Sequence, residues 1–314
     1  MKTKPRITIP EYVAILTEDC INQLREFGNF QFYKDFPATD GEIVKRIGNA
    51  DVVIIKWLKF SESLLQRLPN LKYIISLTVG YNHLPVEAAA KLGIKIITCP
   101  THNTHAVVEH TFALLFSVTR RIVEAQIQLQ KGAWKHPYNF PGTELAGKKL
   151  LVIGHGNIGK EVAEIAKCFG LIVDTANSKT TSAQLNKFIQ NADIISLHVP
   201  LTESTKHLIN KEKLSLMKNT AYIINTSRGE IIDQKALFKA LKSKQIAGAG
   251  LDVFEHEPIS GDLPKEIIEL INLRSVVATP HIAFNTKDAA NRLTVELLSN
   301  LKSIIQGKPQ NLVN

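Results

Sequence analysis

Residues 150–182 read LLVIGHGNIGKEVAEIAKCFGLIVDTANSKTTS, and the fold turns on them. The apolar run Leu150 to Ile153 leads into Gly154, Gly156 and Gly159 in the G-x-G-x-x-G spacing. An amphipathic helical pattern and a second apolar run follow. Strand, tight turn and helix in that order open a dinucleotide-binding unit. Gly154 permits the turn, Gly156 admits a pyrophosphate to the backbone, and Gly159 lets the helix close on the strand. The helix start, at Asn157 and Ile158, offers free N–H groups and a positive dipole end to phosphates.

The second apolar run of such a unit ordinarily ends on an acid about 20 residues beyond the glycines. Here Asp174 falls within the run, and the run ends on Asn177, Ser178 and Lys179. An acid would hold a ribose 2′-hydroxyl and repel a 2′-phosphate. Asn-Ser-Lys removes that repulsion and adds donors and a cation. The pattern leans towards NADP(H); NAD(H), with Asn177 hydrogen-bonding the ribose hydroxyls, is the alternative.

Working outward, KLLVI, LIVDTA, DIISLHV, AYIINT, AGAGLDV and SVVATP are six strand-like segments separated by helix-length ones. That alternation describes a doubly wound parallel sheet. Upstream, YVAIL (12–16), DVVIIK (51–56), KYIISL (72–77) and IKIIT (94–98) read as buried parallel strands. Residues 105–131 carry the longest helical pattern, with Leu114, Leu115, Val118, Ile122 and Ala125 at helical spacing, and Pro100 marks a boundary before it. A last helix, 286–306, is read as packing back on the first domain. The expected fold class is α/β with two domains, each a doubly wound parallel sheet.

Composition fits this reading. A chain of 314 residues is long for one core. It has no apolar run of the roughly 18 residues that a membrane span needs. The N-terminus lacks the apolar core of a signal peptide. The net charge of +9 is spread over the whole chain with no basic run interleaved with aromatics, so nucleic acid is not an expected partner. The surplus is read as a solvated surface that also attracts an anionic cofactor and substrate. Cys20, Cys99 and Cys168 are odd in number and form neither a metal spacing nor a disulfide framework, which suits a reducing cytoplasm and predicts no metal.

In an open parallel sheet, ligands gather beyond the carboxyl ends of the strands. Four loops qualify. They carry His198-Val199-Pro200, Thr226-Ser227-Arg228-Gly229, Asp252 with Glu257-Pro258, and Pro280-His281. An arginine binds a carboxylate through two parallel hydrogen bonds and polarises the neighbouring carbonyl. A histidine gives or takes the proton on that oxygen, and a carboxylate beside it fixes its orientation. The trio suits hydride transfer between a nicotinamide and a 2-oxo acid. Glu255 competes with Glu257 for the carboxylate role, and His198 competes with His281 for the acid–base role.

GHGNIG, HVPLTESTKHLI, INTSRGEIIDQKAL, GAGLDVFEHEP and ATPHIAF, in that order, resemble the D-isomer-specific 2-hydroxyacid dehydrogenase family. LTVGYNHLP is similar to the family's substrate-domain loop, and the resemblance spans essentially the whole chain. It implies a Rossmann-type cofactor domain, 101–284, inserted into a flavodoxin-like substrate domain made of 1–100 and 285–314. It implies a homodimer in which the helix near 105–131 takes part. Carried over residue by residue, Arg228 holds the substrate, His281 is the acid–base residue and Glu257 is its partner. Val79 and Gly80 meet the substrate carboxylate through their backbones. Asn157 and Ile158 touch the pyrophosphate, and Val199, Pro200, Thr205, Thr226 and Asp252 line the rest of the cofactor. Most of the motifs are similar to the glyoxylate, hydroxypyruvate and glycerate branch; HIAFNT is similar to the D-lactate dehydrogenase branch. KWLKFSE (56–62) departs from the family's Arg-Ser-x-Thr-like pattern, and Trp57, Leu58 and Tyr81 predict a more apolar substrate pocket. The alternative from another class is a dinucleotide-sensing interaction module resembling the C-terminal-binding corepressors.

Overall fold

The computed structural model describes residues 4–134, 136–258 and 261–314. In chain order its elements are β1 (Arg6–Ile9), α1 (Glu18–Phe27), β2 (Asn29–Phe32), α2 (Asp40–Ile47), β3 (Val52–Ile55), α3 (Glu62–Gln66), β4 (Tyr73–Ser76), α4 (Val86–Lys91) and β5 (Lys95–Ile97). Then come α5 (Thr104–Thr119), α6 (Ile122–Gln130), β6 (Lys149–Ile153), α7 (Asn157–Cys168), β7 (Ile172–Ala176), α8 (Ser182–Asn191) and β8 (Ile194–Leu197). The remainder is α9 (Lys211–Leu216), β9 (Tyr222–Asn225), α10 (Gln234–Lys242), β10 (Gly248–Leu251), α11 (Lys265–Ile271), β11 (Val276–Ala278) and α12 (Lys287–Ile305). The chain divides into two units: residues 1–103 with 285–314, and residues 104–284.

The first unit holds a five-stranded sheet in the order β2-β1-β3-β4-β5, every pair parallel. Alternate residues along its strands feed opposite faces. Ile7, Ile9, Ile54, Ile75 and Ile97 pack with Leu293, Leu297 and Leu301 of α12. Val53, Ile55, Ile74 and Ile96 pack with Leu64, Leu65 and Leu68 on the other face. Because both faces are covered, the strands read as unbroken apolar runs. The α12 leucines repeat every fourth residue and are fully buried; each contributes roughly 2 kcal/mol of burial free energy. Beyond β5, residues 311–314 lie against the sheet's edge: Ile97 bridges Leu312 antiparallel, and the Asn314 side chain bonds the Ile94 carbonyl and the Ile96 N–H.

The second unit holds a six-stranded parallel sheet in the order β11-β10-β9-β8-β6-β7. One face packs on α8, α9 and α10 through residues such as Ile195, Leu197, Ile223 and Leu251. The other packs on α5 and α7, where Leu150, Val152 and Ile224 meet Leu114, Leu115, Val162 and Ala166. Strand order reverses between β6 and β8, and the glycine loop follows β6 at that switch point.

Two expectations are corrected. The first strand is not YVAIL at 12–16 but RITI, Arg6–Ile9. Pro10 has no N–H for a ladder and closes the strand; the chain then turns, burying Val13 and Leu16 outside any strand. The half-exposed edge strand NFQF that pairs with it carried too few buried residues to be seen in sequence. The 105–131 pattern is two helices rather than one. The Thr119 carbonyl accepts the Thr143 N–H, and Arg121 takes a left-handed conformation, φ 53°, its side chain tied to Glu124 and the Asn139 carbonyl. Leu114, Leu115 and Val118 are buried on α5, whereas Ile122 on α6 is 52 % exposed. Among the described residues no helix is long and apolar enough to cross a membrane.

Candidate active site

The glycine loop divides its labour as steric space dictates. Gly154 has φ +100°, and a side chain there would meet the His198 carbonyl oxygen at 2.4 Å. At Gly159 a Cβ would lie 1.8 Å from the Gly154 oxygen, so the start of α7 presses on the turn itself as well as on the strand. At Gly156 a Cβ would meet no protein atom within 4 Å. The backbone at Gly156 is therefore open to close approach. Gly156 is also the N-cap of α7 and supplies no side-chain bond to the helix's first N–H groups. Helices α8, α10 and α12 take caps from Thr181, Asp233 and Thr286. Clear space and uncapped donors at one helix start fit a pyrophosphate.

Asn177 directly follows β7, at the carboxyl end of the strand. Its side-chain Oδ1 accepts the Lys179 N–H at 2.9 Å, and its backbone N–H donates to Thr180 Oγ1 at 3.0 Å. This turn uses the amide's acceptor, and Asn177 itself is exposed. Ser178 and Lys179 are exposed beside it.

His281 follows β11 with φ +53°, and its N–H bonds the Asp252 carbonyl at 2.8 Å. The Nδ1 atom lies 2.6 Å from Glu257 Oε2. Oε1 of Glu257 accepts the Phe254 N–H at 2.7 Å, so both carboxylate oxygens are committed. Nε2 is the ring nitrogen left to a ligand. The Phe284 ring stands edge-on to the imidazole, with centroids 6.0 Å apart. Glu255 is engaged elsewhere: its Oε1 lies 2.5 Å from His207 Nε2. Among the described residues His198 has no carboxylate partner; its Nε2 lies 2.8 Å from Ser196 Oγ, and burial pulls its pKa down to about 3.

Arg228 follows β9. Its loop is shaped by Asn225, a buried polar residue closing an apolar strand. Asn225 Oδ1 accepts from the Ser227 N–H and hydroxyl, and its Nδ2 donates to the Arg228 carbonyl at 2.8 Å. Gly229 then seats the loop: a Cβ there would lie 1.9 Å from the Phe254 carbonyl carbon. The backbone that carries Arg228 thus touches the backbone whose N–H anchors Glu257. Burial lowers the guanidinium's pKa, with Glu257 and Glu230 opposing, and the group remains a cation.

Asp252 sits where the sequence placed a cofactor contact, but its side chain turns inward and is 0 % exposed. Oδ1 accepts from Thr279 Oγ1 at 2.6 Å and the Ile282 N–H at 2.9 Å, and Oδ2 from the Ala283 N–H at 2.9 Å. Thr279 spends its only proton on Asp252, so His110 Nε2, 2.8 Å from Thr279 Oγ1, is the donor there. Burial alone would raise the Asp252 pKa. Hydrogen bonds from His110, Thr279, Ala283 and Ile282 outweigh burial and hold it below the ordinary carboxylate range. The sequence reading passed over His110 and Asn225. The available signal was a polar residue interrupting an otherwise apolar helix face or strand end.

Of the remaining expected positions, Thr226 is buried with its hydroxyl 3.0 Å from Thr111 Oγ1. Thr205 Oγ1 donates to the Pro200 carbonyl at 2.6 Å, and Val199 packs on the core below. Val79 and Gly80 belong to the first unit, in the loop after β4, where Thr78 Oγ1 donates to the Gly80 carbonyl at 2.6 Å.

Residues 112–283 match the family model described as D-isomer specific 2-hydroxyacid dehydrogenase, NAD binding domain. The chain is 37% identical to a glyoxylate reductase of Thermococcus litoralis over 99% of this chain and 97% of that one. Among solved structures, it resembles an acyclic imino acid reductase in complex with NADPH and D-Arg (34% identity, TM-score 0.90, covering 98% of this chain and 100% of that one). It also resembles a D-lactate dehydrogenase of Aquifex aeolicus complexed with NAD and lactic acid (28% identity, TM-score 0.87, 98% of each chain). A matched cofactor-domain model, full-length likeness to named reductases and a glycine cradle with room for a pyrophosphate converge: the chain belongs to the D-isomer specific 2-hydroxyacid dehydrogenase family and is a nicotinamide-dinucleotide-dependent oxidoreductase.

Proposed function

We propose that this enzyme reduces a small 2-oxo acid of the glyoxylate or hydroxypyruvate type to its D-2-hydroxy acid, with His281 as the acid–base residue. The observation that carries the reading is the 2.6 Å contact between His281 Nδ1 and Glu257 Oε2, in which Glu257 is itself anchored by the Phe254 N–H. A bound nicotinamide dinucleotide supplies or takes the hydride. Arg228 binds the substrate carboxylate and polarises the adjacent carbonyl. Val79 and Gly80, in the first unit, are assigned backbone contacts to the substrate. His281 delivers the proton from Nε2 to the C2 oxygen in reduction and removes it in oxidation. Glu257 holds the ring's orientation. Asp252 is a positioning residue, fixing the turn 279–283 that presents His281.

Gly154, Gly156 and Gly159, with the N–H groups of Asn157 and Ile158, form the pyrophosphate seat in this reading. Asn177, Ser178 and Lys179 read the 2′-position and prefer NADP(H); in support, all three are exposed and none is acidic. Val199, Pro200, Thr205 and Thr226 line the cofactor groove. The cofactor domain is 101–284 and the substrate domain 1–100 with 285–314. The proposal includes a cytoplasmic homodimer in which α6 takes part. In support, Ile122, Val123, Ile127 and Leu129 of that helix are all exposed, as are Trp134 and Tyr138 beyond it.

The test is initial-rate measurement with glyoxylate, hydroxypyruvate and pyruvate, each with NADPH and NADH, on wild type and His281→Asn. The variant is expected to lose about 10²–10⁴-fold in kcat with NADPH affinity by fluorescence titration unchanged. A variant as fast as wild type removes His281 from the chemistry. Tight dinucleotide binding with no turnover of any 2-oxo acid would favour the sensing-module reading.

A further inference from the structure

Helix α5 meets strand β10 in a register that their sequences set between them. Four residues of a helix rise roughly 6 Å and two residues of a strand roughly 6.6 Å, so a helix and a strand of opposite direction stay in step. His110, Leu114 and Val118 share one face of α5, and Asp252, Gly250 and Gly248 answer them in turn. A Cβ at Gly250 would stand 3.0 Å from Leu114 Cβ, and one at Gly248 would stand 3.0 Å from Val118 Cγ2. The two glycines bring the helix close to the strand. The next step of the same register sets His110 Nε2 3.5 Å from Asp252 Oδ1 and 2.8 Å from Thr279 Oγ1. The adjacent residue of the helix grips a second loop. Thr111 Oγ1 gives its proton to the Val107 carbonyl at 2.8 Å, so at its 3.0 Å contact with Thr226 the Thr226 hydroxyl donates. One turn of α5 thus touches both the stretch 279–283 that presents His281 and the loop that presents Arg228.

Resting on the dehydrogenase reading, we propose that His110 is a positioning residue for the acid–base histidine, acting through Thr279 and Asp252. Thr279 accepts from His110 and donates to Asp252 at 2.6 Å, so its hydroxyl cannot swing without breaking one bond or the other. Asp252 in turn receives the N–H groups of Ile282 and Ala283, and its own carbonyl receives the N–H of His281 at 2.8 Å. The chain of bonds runs from a helix anchored in the core to the backbone of His281 and to the residues that follow it. This role needs an N–H donor at the place of Nε2; it does not need an imidazole. Plain support of the fold is the rival role, and a side chain of similar size and polarity fills it whether or not that donor is present.

The experiment compares His110→Gln with His110→Asn, reading kcat and KM for glyoxylate with NADPH and NADH, and dinucleotide affinity by fluorescence titration. A glutamine carries an amide N–H near the place of Nε2, whereas an asparagine ends one carbon short of it. His110→Asn is expected to lose about 10–100-fold in kcat, with glyoxylate KM and dinucleotide affinity within about threefold of wild type. His110→Gln is expected to recover kcat to within about threefold of wild type. Thr279→Ala breaks the same chain without touching the helix, so it carries the test should His110→Asn not fold; it is expected to slow kcat likewise, and Thr279→Ser to recover it. The double variant His110→Asn with Thr279→Ala is expected to be no slower than the slower single one, since both cut one chain. Asparagine and glutamine variants of equal rate, losses that multiply in the double variant, or a loss of dinucleotide affinity as large as the loss of kcat overturns the positioning role and leaves the dehydrogenase reading intact. Failure of the wild type to reduce any 2-oxo acid removes that reading and the positioning role with it.

Discussion

Replacing Asp252 by asparagine keeps the side chain's shape and removes one of its acceptor sites. The carboxylate takes hydrogen bonds from Thr279, Ile282 and Ala283, with His110 Nε2 3.5 Å from Oδ1, and its side chain is fully buried. An asparagine accepts on one atom only, so its NH₂ must confront at least one of those donors. Losing one bond to a charged acceptor and leaving a buried donor unpaired costs about 3–5 kcal/mol together. For a domain the size of the second unit, each kcal/mol lowers Tm by roughly 2–4 °C, so a drop of about 10 °C is expected near neutral pH. Calorimetry of the intact protein reads it directly. Because the folded pKa of Asp252 lies below its unfolded value, its contribution is complete above about pH 4 and fades as pH falls through the folded pKa. The gap between wild type and Asp252→Asn therefore closes in acid. A variant that melts within about 2 °C of wild type but binds NADPH poorly would refute the positioning role and return Asp252 to the cofactor.

Three further outcomes follow from the same structure. His198 and His102 are held neutral by burial, with pKa values near 3 and 4, whereas the unfolded chain takes up their protons from about pH 6.5. Stability is therefore full above that pH and falls by up to about 1.4 kcal/mol per pH unit per histidine as pH drops; His198→Gln should flatten the slope between urea melts at pH 7 and pH 5, and an unchanged slope counts against it. Asn177→Asp should move the NADPH-to-NADH ratio of kcat/KM at least tenfold towards NADH, by repulsion of a 2′-phosphate; a fixed ratio means the 177–179 turn does not read that position. Gly156→Ala should melt like wild type yet weaken dinucleotide binding, while Gly229→Ala should destabilise the fold because its Cβ would strike the Phe254 backbone; the reverse pattern would sink the steric assignment.

The cofactor half was the more legible part of the sequence because glycines, helix starts and strand ends are local signals. Gly154, Gly156 and Gly159 could be given separate tasks before any coordinate; a Cβ would clash at Gly154 and Gly159 and meet nothing within 4 Å at Gly156. The inward turn of Asp252 was not legible: it depends on N–H groups some thirty residues away. The rivalry of Glu255 and Glu257 also needed coordinates, because two residues of spacing in a loop do not say which faces His281. The first strand was misplaced because YVAIL is as apolar as a strand, while Pro10 decides where the ladder stops. The break at Arg121 escaped because α5 and α6 keep one apolar periodicity across it, and the helix is ended by the Thr143 bond to Thr119 and the left-handed turn at Arg121.

The last helix has a consequence for the order in which the protein is made. Leu293, Leu297 and Leu301 complete the core that Ile7, Ile9 and Ile54 begin. On the ribosome those N-terminal strands emerge first, yet the part of their sheet's face that α1 does not cover stays open until α12 is synthesised. The second unit, continuous from 104 to 284, has all its strands available sooner. Synthesis at about 5–20 residues per second leaves that apolar face exposed for ten seconds or more, during which a chaperone is its natural cover.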